Sequence, residues 1–339
     1  MYSVYQHWDP LKVCVVGQSY PPEFYSWIEK PAVRSLFEKI AIETEEDYQN
    51  IIKKLESFGV RVLRPKLYER THYLLPDDSR YMPPPMTPRD FTVMIGNNFY
   101  YSINEAPGWE SGYEEILDNI KQQGNIVERT LIWQNINGAM ISRIGRDLYF
   151  GTESYDQDTT KLQTNVINRY FTQTRNHIVN TGGHGDGTYC PVAPGLIISL
   201  KDVPTYADTF PGWEVVYLPG QSWSAVNDFL QLKKKNKGRW WIPGFEHNQD
   251  VVDVVETWLG HWTGYVEETV FDVNMLIIDP KNVMVFNYNK QVFDALDRYG
   301  ITPHVVPFRH RYFWDGGIHC VTSDLHREGD MKDFFPERL

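Results

Sequence analysis

Asn274-Met-Leu-Ile-Ile-Asp-Pro-Lys-Asn-Val-Met-Val-Phe286 is the stretch that decides the fold. Two apolar runs, each too short for a helix, flank the turn Asp279-Pro-Lys-Asn282. Asp, Pro and Asn supply turn geometry, and apolar runs bounded in this way read as a β-hairpin. Downstream, Val292 to Tyr299 reads as a helix stopped by Gly300, and Ile301-Thr-Pro-His-Val-Val306 reads as a returning strand. A glycine just past the last helical turn takes the left-handed C-cap conformation at little cost. The unit is hairpin, helix, strand.

Working outward, the unit recurs. Phe91 to Ser102 reads as a hairpin around Gly96-Asn-Asn98, and Tyr113 to Gln123 as its helix, ending at Gly124 before Asn125-Ile-Val127. Ala139 to Gly151 repeats the hairpin around Gly145-Arg-Asp147, and Gly187 to Leu200 around Ala193-Pro-Gly195. Near the N-terminus, Lys12-Val-Cys-Val-Val16 supplies a strand. Thr44 to Phe58 then predicts a helix, with Thr44 as N-cap, acidic residues in the first turn, Gly59 as stop and Val60-Arg-Val-Leu63 as strand. Four hairpins and part of a fifth unit predict a closed, five-bladed, pseudo-symmetric α/β propeller. An ordinary two-domain α/β sheet is the alternative. No linker divides the chain, so residues 1–339 are expected to form a single domain. The proline-rich loop Met82 to Pro88 leads to Asp90 and is read as shaping a site rather than joining domains.

Composition narrows the function. The 339 residues are 42% hydrophobic and 14% aromatic, ample for a buried core, and the formal net charge is −11. That charge argues against nucleic acid as a partner. The basic run Lys233-Lys-Lys-Asn-Lys-Gly-Arg239 is short and reads as a solvated helix end. No run reaches the ~18 apolar residues of a membrane span, and no secretory signal precedes Asp9. Cys14, Cys190 and Cys320 are few and far apart. They form neither a disulfide framework nor a CxxC metal pair, and a cytoplasmic location is expected.

Chemistry concentrates in three places. Gly316-Gly-Ile-His-Cys-Val-Thr-Ser-Asp324 presents the Cys320 thiol, His184-Gly-Asp186 an imidazole and a carboxylate, and Pro88-Arg-Asp90 a second carboxylate. Two carboxylates can hold a planar guanidinium in bidentate fashion. A thiolate can attack its carbon, and an imidazole can move the proton of the departing amine. Each residue also has a plain reading: a buried thiol, a polar turn, a strand-start aspartate. Cys14 and Cys190, in apolar strands, are read as core. Zinc on His319, Cys320 and His326 is disfavoured, because adjacent side chains diverge and no second ligand pair exists.

These blocks resemble the amidinotransferases of the pentein, or guanidino-group modifying, superfamily, especially glycine (L-arginine:glycine) amidinotransferase and inosamine-phosphate amidinotransferase. The similarity runs from Thr87 to Arg327. It rests on the Cys320 segment, on Pro88-Arg-Asp90 with Gly96-Asn97 and Glu105-Ala-Pro107, on Arg143 with Gly145-Arg-Asp147, and on His184-Gly-Asp186 with Pro194-Gly195. The resemblance implies a five-bladed propeller with a central site, no metal and no organic cofactor. It implies Cys320 as nucleophile, His184 as general acid/base, and Asp90 and Asp186 as guanidinium ligands. It implies substrate contacts from Gly317 and from Asn137, which stands where the family carries an acid. The family's carboxylate-binding cation falls near Val203, leaving Arg309 and Arg311 as candidates by proximity. Two family serines fall at Glu267 and Glu268, which favours a cationic or hydroxyl-rich acceptor.

The expected activity is transfer of an amidino group from arginine, or a similar donor, to an amine through an amidino-cysteine. The partners are then two small molecules, the guanidino donor and the amine acceptor, and a homodimer is left open. A guanidino hydrolase on the same scaffold and a non-catalytic arginine binder are the alternatives.

Overall fold

The hairpin-helix-strand unit is built five times among the described residues. The computed structural model describes residues 1–68, 80–102, 109–130, 137–152, 157–200, 206–218, 242, 244–245, 248–259 and 272–338. Strand β1 (Leu11–Val16) runs parallel to β2 (Arg61–Leu63), with helix α1 (Pro31–Ser57) between them. A short helix, α2 (Pro88–Phe91), leads into the hairpin of β3 (Thr92–Ile95) and β4 (Asn98–Tyr101). Helix α3 (Trp109–Gln122) then carries the chain to β5 (Ile126–Arg129), parallel to β4. The third unit is β6 (Ile141–Ile144), β7 (Asp147–Thr152), α4 (Gln157–Tyr170) and β8 (Arg175–Asn180). The fourth is β9 (Tyr189–Ala193), β10 (Leu196–Ser199), the helical turn α5 (Tyr206–Thr209) and β11 (Glu214–Tyr217). After α6 (Gln249–Trp258) comes the fifth: β12 (Leu276–Asp279), β13 (Asn282–Val285), α7 (Lys290–Arg298) and β14 (Thr302–Val305).

The first unit lacks a local hairpin partner for β1. After α8 (Arg311–Trp314), strand β15 (Thr322–Arg327) supplies it, antiparallel, from Leu11 opposite Arg327 to Val16 opposite Thr322. The two ends of the chain therefore share one sheet, and the ring of five units closes. In every unit the first strand (β3, β6, β9, β12, β15) is buried almost throughout, whereas the third (β2, β5, β8, β11, β14) carries partly or fully exposed residues. The first strands thus form the inner wall. Burial on both faces accounts for the unbroken apolar run Leu276-Ile-Ile278 of β12.

Local chemistry agrees with the expected turns. The Asp279 carboxylate accepts hydrogen bonds from the Lys281 backbone N–H (2.7 Å) and from Asn282 Nδ2, an Asx turn that fixes the β12–β13 register. Gly145 turns β6 into β7 at φ +63°, and a Cβ there would lie 2.0 Å from the carbonyl oxygen of Lys332. Two helix starts differ from expectation: α3 begins at Trp109 rather than Tyr113, and α1 at Pro31 rather than Thr44. Thr44 is not an N-cap: α1 begins at Pro31, and Thr44 lies buried within it, its Oγ1 donating to the Ile40 carbonyl (2.6 Å) and accepting from Trp314 Nε1 (2.8 Å). Pro31 starts the helix where its missing N–H costs nothing, and buried Val33, Phe37 and Ile40 extend the apolar face upstream of the acidic run. The basic run 233–239, the 105–107 segment, Val203, Glu267 and Glu268 lie outside the described residues.

Candidate active site

The residues expected to carry chemistry come from matching places in different units. Asp90 lies two residues before β3, Asp186 three before β9, and Cys320 two before β15. Hydrogen bonds link these pre-strand segments around the axis. Arg89 N donates to the Cys320 carbonyl (3.4 Å), Gly138 N to the Arg89 carbonyl (3.0 Å), and Asp186 N to the Ala139 carbonyl (3.0 Å). Asn274, two residues before β12, completes the circuit with its side chain. Its Nδ2 donates to the Asp186 carbonyl (3.3 Å), and its Oδ1 accepts from the backbone N–H of His319 (2.7 Å) and Cys320 (3.3 Å). All five units therefore meet at one end of the inner wall.

At this meeting point the Cys320 sulfur lies 3.7 Å from Asp186 Oδ2 and 3.1 Å from Asn274 Nδ2. His184 Nδ1 lies 3.9 Å from Asp90 Oδ1. Cys320 is 1% exposed, whereas the side chains of His184 and Asp90 are 33% and 25% exposed. The imidazole and one carboxylate are thus partly exposed, whereas the thiol and the other carboxylate are buried. Asp186 Oδ2 is also 2.7 Å from His319 Nδ1. Burial, then the charges of Arg89 and its neighbours, pushes His319 well below the ordinary histidine range. A neutral ring so placed donates Nδ1–H to the carboxylate. A small internal cavity borders Asp186, Asn274 and His319 and reaches His7, Ser142 and Arg327.

The segment is anchored from below by a buried ion cluster. Asp324 takes Arg89 Nη1 at 2.5 Å, Arg143 Nη2 at 2.8 Å and Arg327 Nε at 2.7 Å, all essentially inaccessible to solvent. Burial alone would raise the Asp324 carboxyl, but Arg143, Arg89 and Arg327 outweigh it and hold it well below the usual range. Arg89 Nε also donates to the carbonyls of His319 (3.2 Å) and Thr322 (2.9 Å). One guanidinium therefore fixes the backbone on both sides of Cys320, while its own chain neighbour is Asp90. Arg143 N donates to His7 Nε2 (3.1 Å). Burial, then Arg143, pushes His7 well below the ordinary range, so its ring is a neutral acceptor.

The structure brings Cys320, Asp186, His184 and Asp90 into this one region as two contacting pairs. The other expected residues are engaged differently. Asn137 is buried, and its Oδ1 accepts from Met140 N (3.0 Å) in the turn before β6. Gly317 packs on Asn274, since a Cβ there would meet Asn274 Oδ1 at 2.2 Å. Arg309 is taken up by α1, with Nε 3.0 Å from Asp47 Oδ1 and Nη2 2.7 Å from Glu46 Oε2. The Arg311 guanidinium lies over the Tyr312 ring. Cys14 and Cys190 are buried, and burial pushes both thiols up to about 12. Sequence reasoning missed Asn274, His319 and the Asp324 cluster. The available signal for Asn274 was positional: it precedes its inner strand by the same step as Asp90 and Cys320.

Comparison with known proteins agrees with this architecture. No family model matches the chain. It is 22% identical over 394 residues to glycine amidinotransferase, mitochondrial, of Xenopus laevis, covering 98% of this chain and 84% of that protein. It is 21% identical over 383 residues to putative inosamine-phosphate amidinotransferase 2 of Streptomyces griseus, covering 98% of both. Among solved structures, an amidinotransferase of the saxitoxin biosynthetic pathway from Microseira wollei superposes with a TM-score of 0.70 at 19% identity, over 98% of this chain and 99% of that one. A dimethylarginine dimethylaminohydrolase follows at a TM-score of 0.54 and 11% identity, over 93% and 99%. The fold is that of the pentein proteins, five α/β units in a ring. The chain is a homologue of the amidinotransferases, a class of enzymes. Among the described residues, no helix is long and apolar enough to cross a membrane.

Proposed function

We propose that residues 1–339 act as one catalytic domain that moves an amidino group from arginine, or a similar guanidino donor, to an amine acceptor through an amidino-cysteine at Cys320. The observation that carries this reading is the 3.7 Å approach of the Cys320 sulfur to Asp186, together with the partly exposed His184–Asp90 pair. A guanidinium held by Asp186 and Asp90 would lie flat between two carboxylates, with its carbon facing the sulfur. Its charge favours the thiolate, because a nearby cation stabilises an anion.

In the first half-reaction the thiol proton passes to His184 and sulfur attacks the guanidinium carbon. The bond from that carbon to the donor's amine nitrogen breaks, the electron pair stays on nitrogen, and the imidazolium supplies the proton. In the second half, His184 takes a proton from the acceptor amine, nitrogen bonds to the amidino carbon, and the carbon–sulfur bond breaks to return the thiolate. Acid/base help of this kind contributes about 10²–10⁴ in rate. The three cysteines form no disulfide, which supports a reducing compartment, for which we propose the cytoplasm.

An acceptor screen with arginine as donor tests the reading by following ornithine. Ornithine release that depends on an added amine is the expected result. The screen should include glycine and amines bearing a second cation or hydroxyls, given Glu267 and Glu268. Citrulline or ammonia released without an amine would assign a hydrolase instead, and tight arginine binding without turnover would assign a binder.

A further inference from the structure

The Asn274 amide nitrogen lies 3.1 Å from the Cys320 sulfur, closer than Asp186 Oδ2 at 3.7 Å. Its orientation is fixed by its neighbours. The backbone N–H groups of His319 and Cys320 can only donate, so the atom facing them at 2.7 and 3.3 Å must be the amide oxygen. The NH2 end is thereby turned toward the sulfur at 3.1 Å and the Asp186 carbonyl at 3.3 Å. A donor aimed at sulfur stabilises the anion more than the thiol. The placement is enforced from the other side by Gly317, whose missing side chain leaves the room Asn274 occupies. Asn274 itself is 1% exposed, so little solvent competes for either end of its amide.

We propose that Asn274 is a positioning residue that aims the Cys320 sulfur and stabilises the thiolate formed when a guanidinium takes over Asp186. The proposal rests on Cys320 being the nucleophile. It assigns one side chain two tasks: the oxygen end sets the Cys320 backbone, and the nitrogen end holds the sulfur and the Asp186 segment in register.

Asn274→Asp separates the two tasks. The carboxylate still accepts both backbone N–H bonds but turns a negative oxygen toward the sulfur. The readout is the pH midpoint for appearance of thiolate ultraviolet absorbance in the whole protein. The part of that absorbance that disappears in Cys320→Ala belongs to Cys320, which separates it from the tyrosines and from the buried Cys14 and Cys190. The expected result is an alkaline shift of about one pH unit or more in Asn274→Asp. Amidino-adduct formation from arginine at neutral pH should slow by about tenfold or more with it. Asn274→Ala, which removes the donor without adding charge, shifts the midpoint in the same direction by less. For a variant that does not fold, the Asn274 side-chain amide resonance of the unsubstituted protein serves instead, and it should move with the Cys320 titration. An unchanged midpoint in folded variants, or an amide resonance indifferent to that titration, overturns the proposal. An unsubstituted protein that forms no Cys320 adduct while the midpoint still shifts in Asn274→Asp would overturn the nucleophile reading alone.

Discussion

At the scale of single residues, two buried histidines make the molecule sensitive to acid. His7 and His319 have folded-state values well below the ordinary 6.5, because burial and nearby guanidiniums oppose their charge. The unfolded chain takes up protons near 6.5 that the folded chain refuses, so stability is lost as pH falls below that value. Each histidine contributes a slope of about 1.4 kcal/mol per pH unit in this window. Denaturant melts between pH 7 and 5 should therefore show falling stability, with a shallower slope in His7→Gln. A stability independent of pH across that range would contradict the neutral assignment. Legibility also divides at this scale. Cys320, His184, Asp186 and Asp90 stand out in the sequence because their side chains suit guanidinium chemistry, and the structure sets them in neighbouring pre-strand segments. Asn274 could not, because an amide before an apolar run looks like any turn residue until its two ends are seen to face different partners.

At the scale of elements, the segment before each inner strand is where the proposed site residues lie. Strands β3, β9, β12 and β15 are each preceded, within three residues, by a polar or thiol side chain facing the same cluster, and the turn before β6 contributes Gly138 and Ala139 to the hydrogen-bonded circuit. Gly317 tests this circuit. An alanine there would put its Cβ 2.2 Å from Asn274 Oδ1, so the amide must move and with it the Cys320 backbone. We expect Gly317→Ala to fold and to lose at least about tenfold in transfer rate, since small misplacements near reacting atoms are costly. Steady-state kinetics beside a thermal melt check this, and full activity would show that the circuit does not set the sulfur. The hairpins were legible in the sequence because Asp279-Pro-Lys-Asn282 and Gly145 carry their own turn chemistry. The start of α1 was not: Thr44 with Glu45 and Glu46 has the composition of a helix N-terminus, and only the packing of Val33, Phe37 and Ile40 places the true start at Pro31.

At the scale of the molecule, closure of the ring is what brings the proposed site residues together. The β15–β1 pairing joins residues more than three hundred positions apart, and nothing local to either strand announces its partner. The Asp324 cluster then ties units together: Arg89 enters just before β3, Arg143 lies on β6, and Arg327 lies on β15. Asp324→Asn would leave three buried guanidiniums facing a neutral amide. Breaking a buried pair in this way costs about 3–5 kcal/mol, so denaturant unfolding should show a loss of that size. A near-neutral change would mean that the cluster is not what holds the segment. The central claim is that closure delivers the Cys320 sulfur to a guanidinium carbon. Its most direct test is mass spectrometry of the protein mixed with arginine carrying an isotopic label on the amidino carbon. A labelled amidino group is expected on the Cys320 peptide, absent in Cys320→Ala and discharged by an amine acceptor. A labelled adduct on another residue, or no adduct with any guanidino donor, would contradict it.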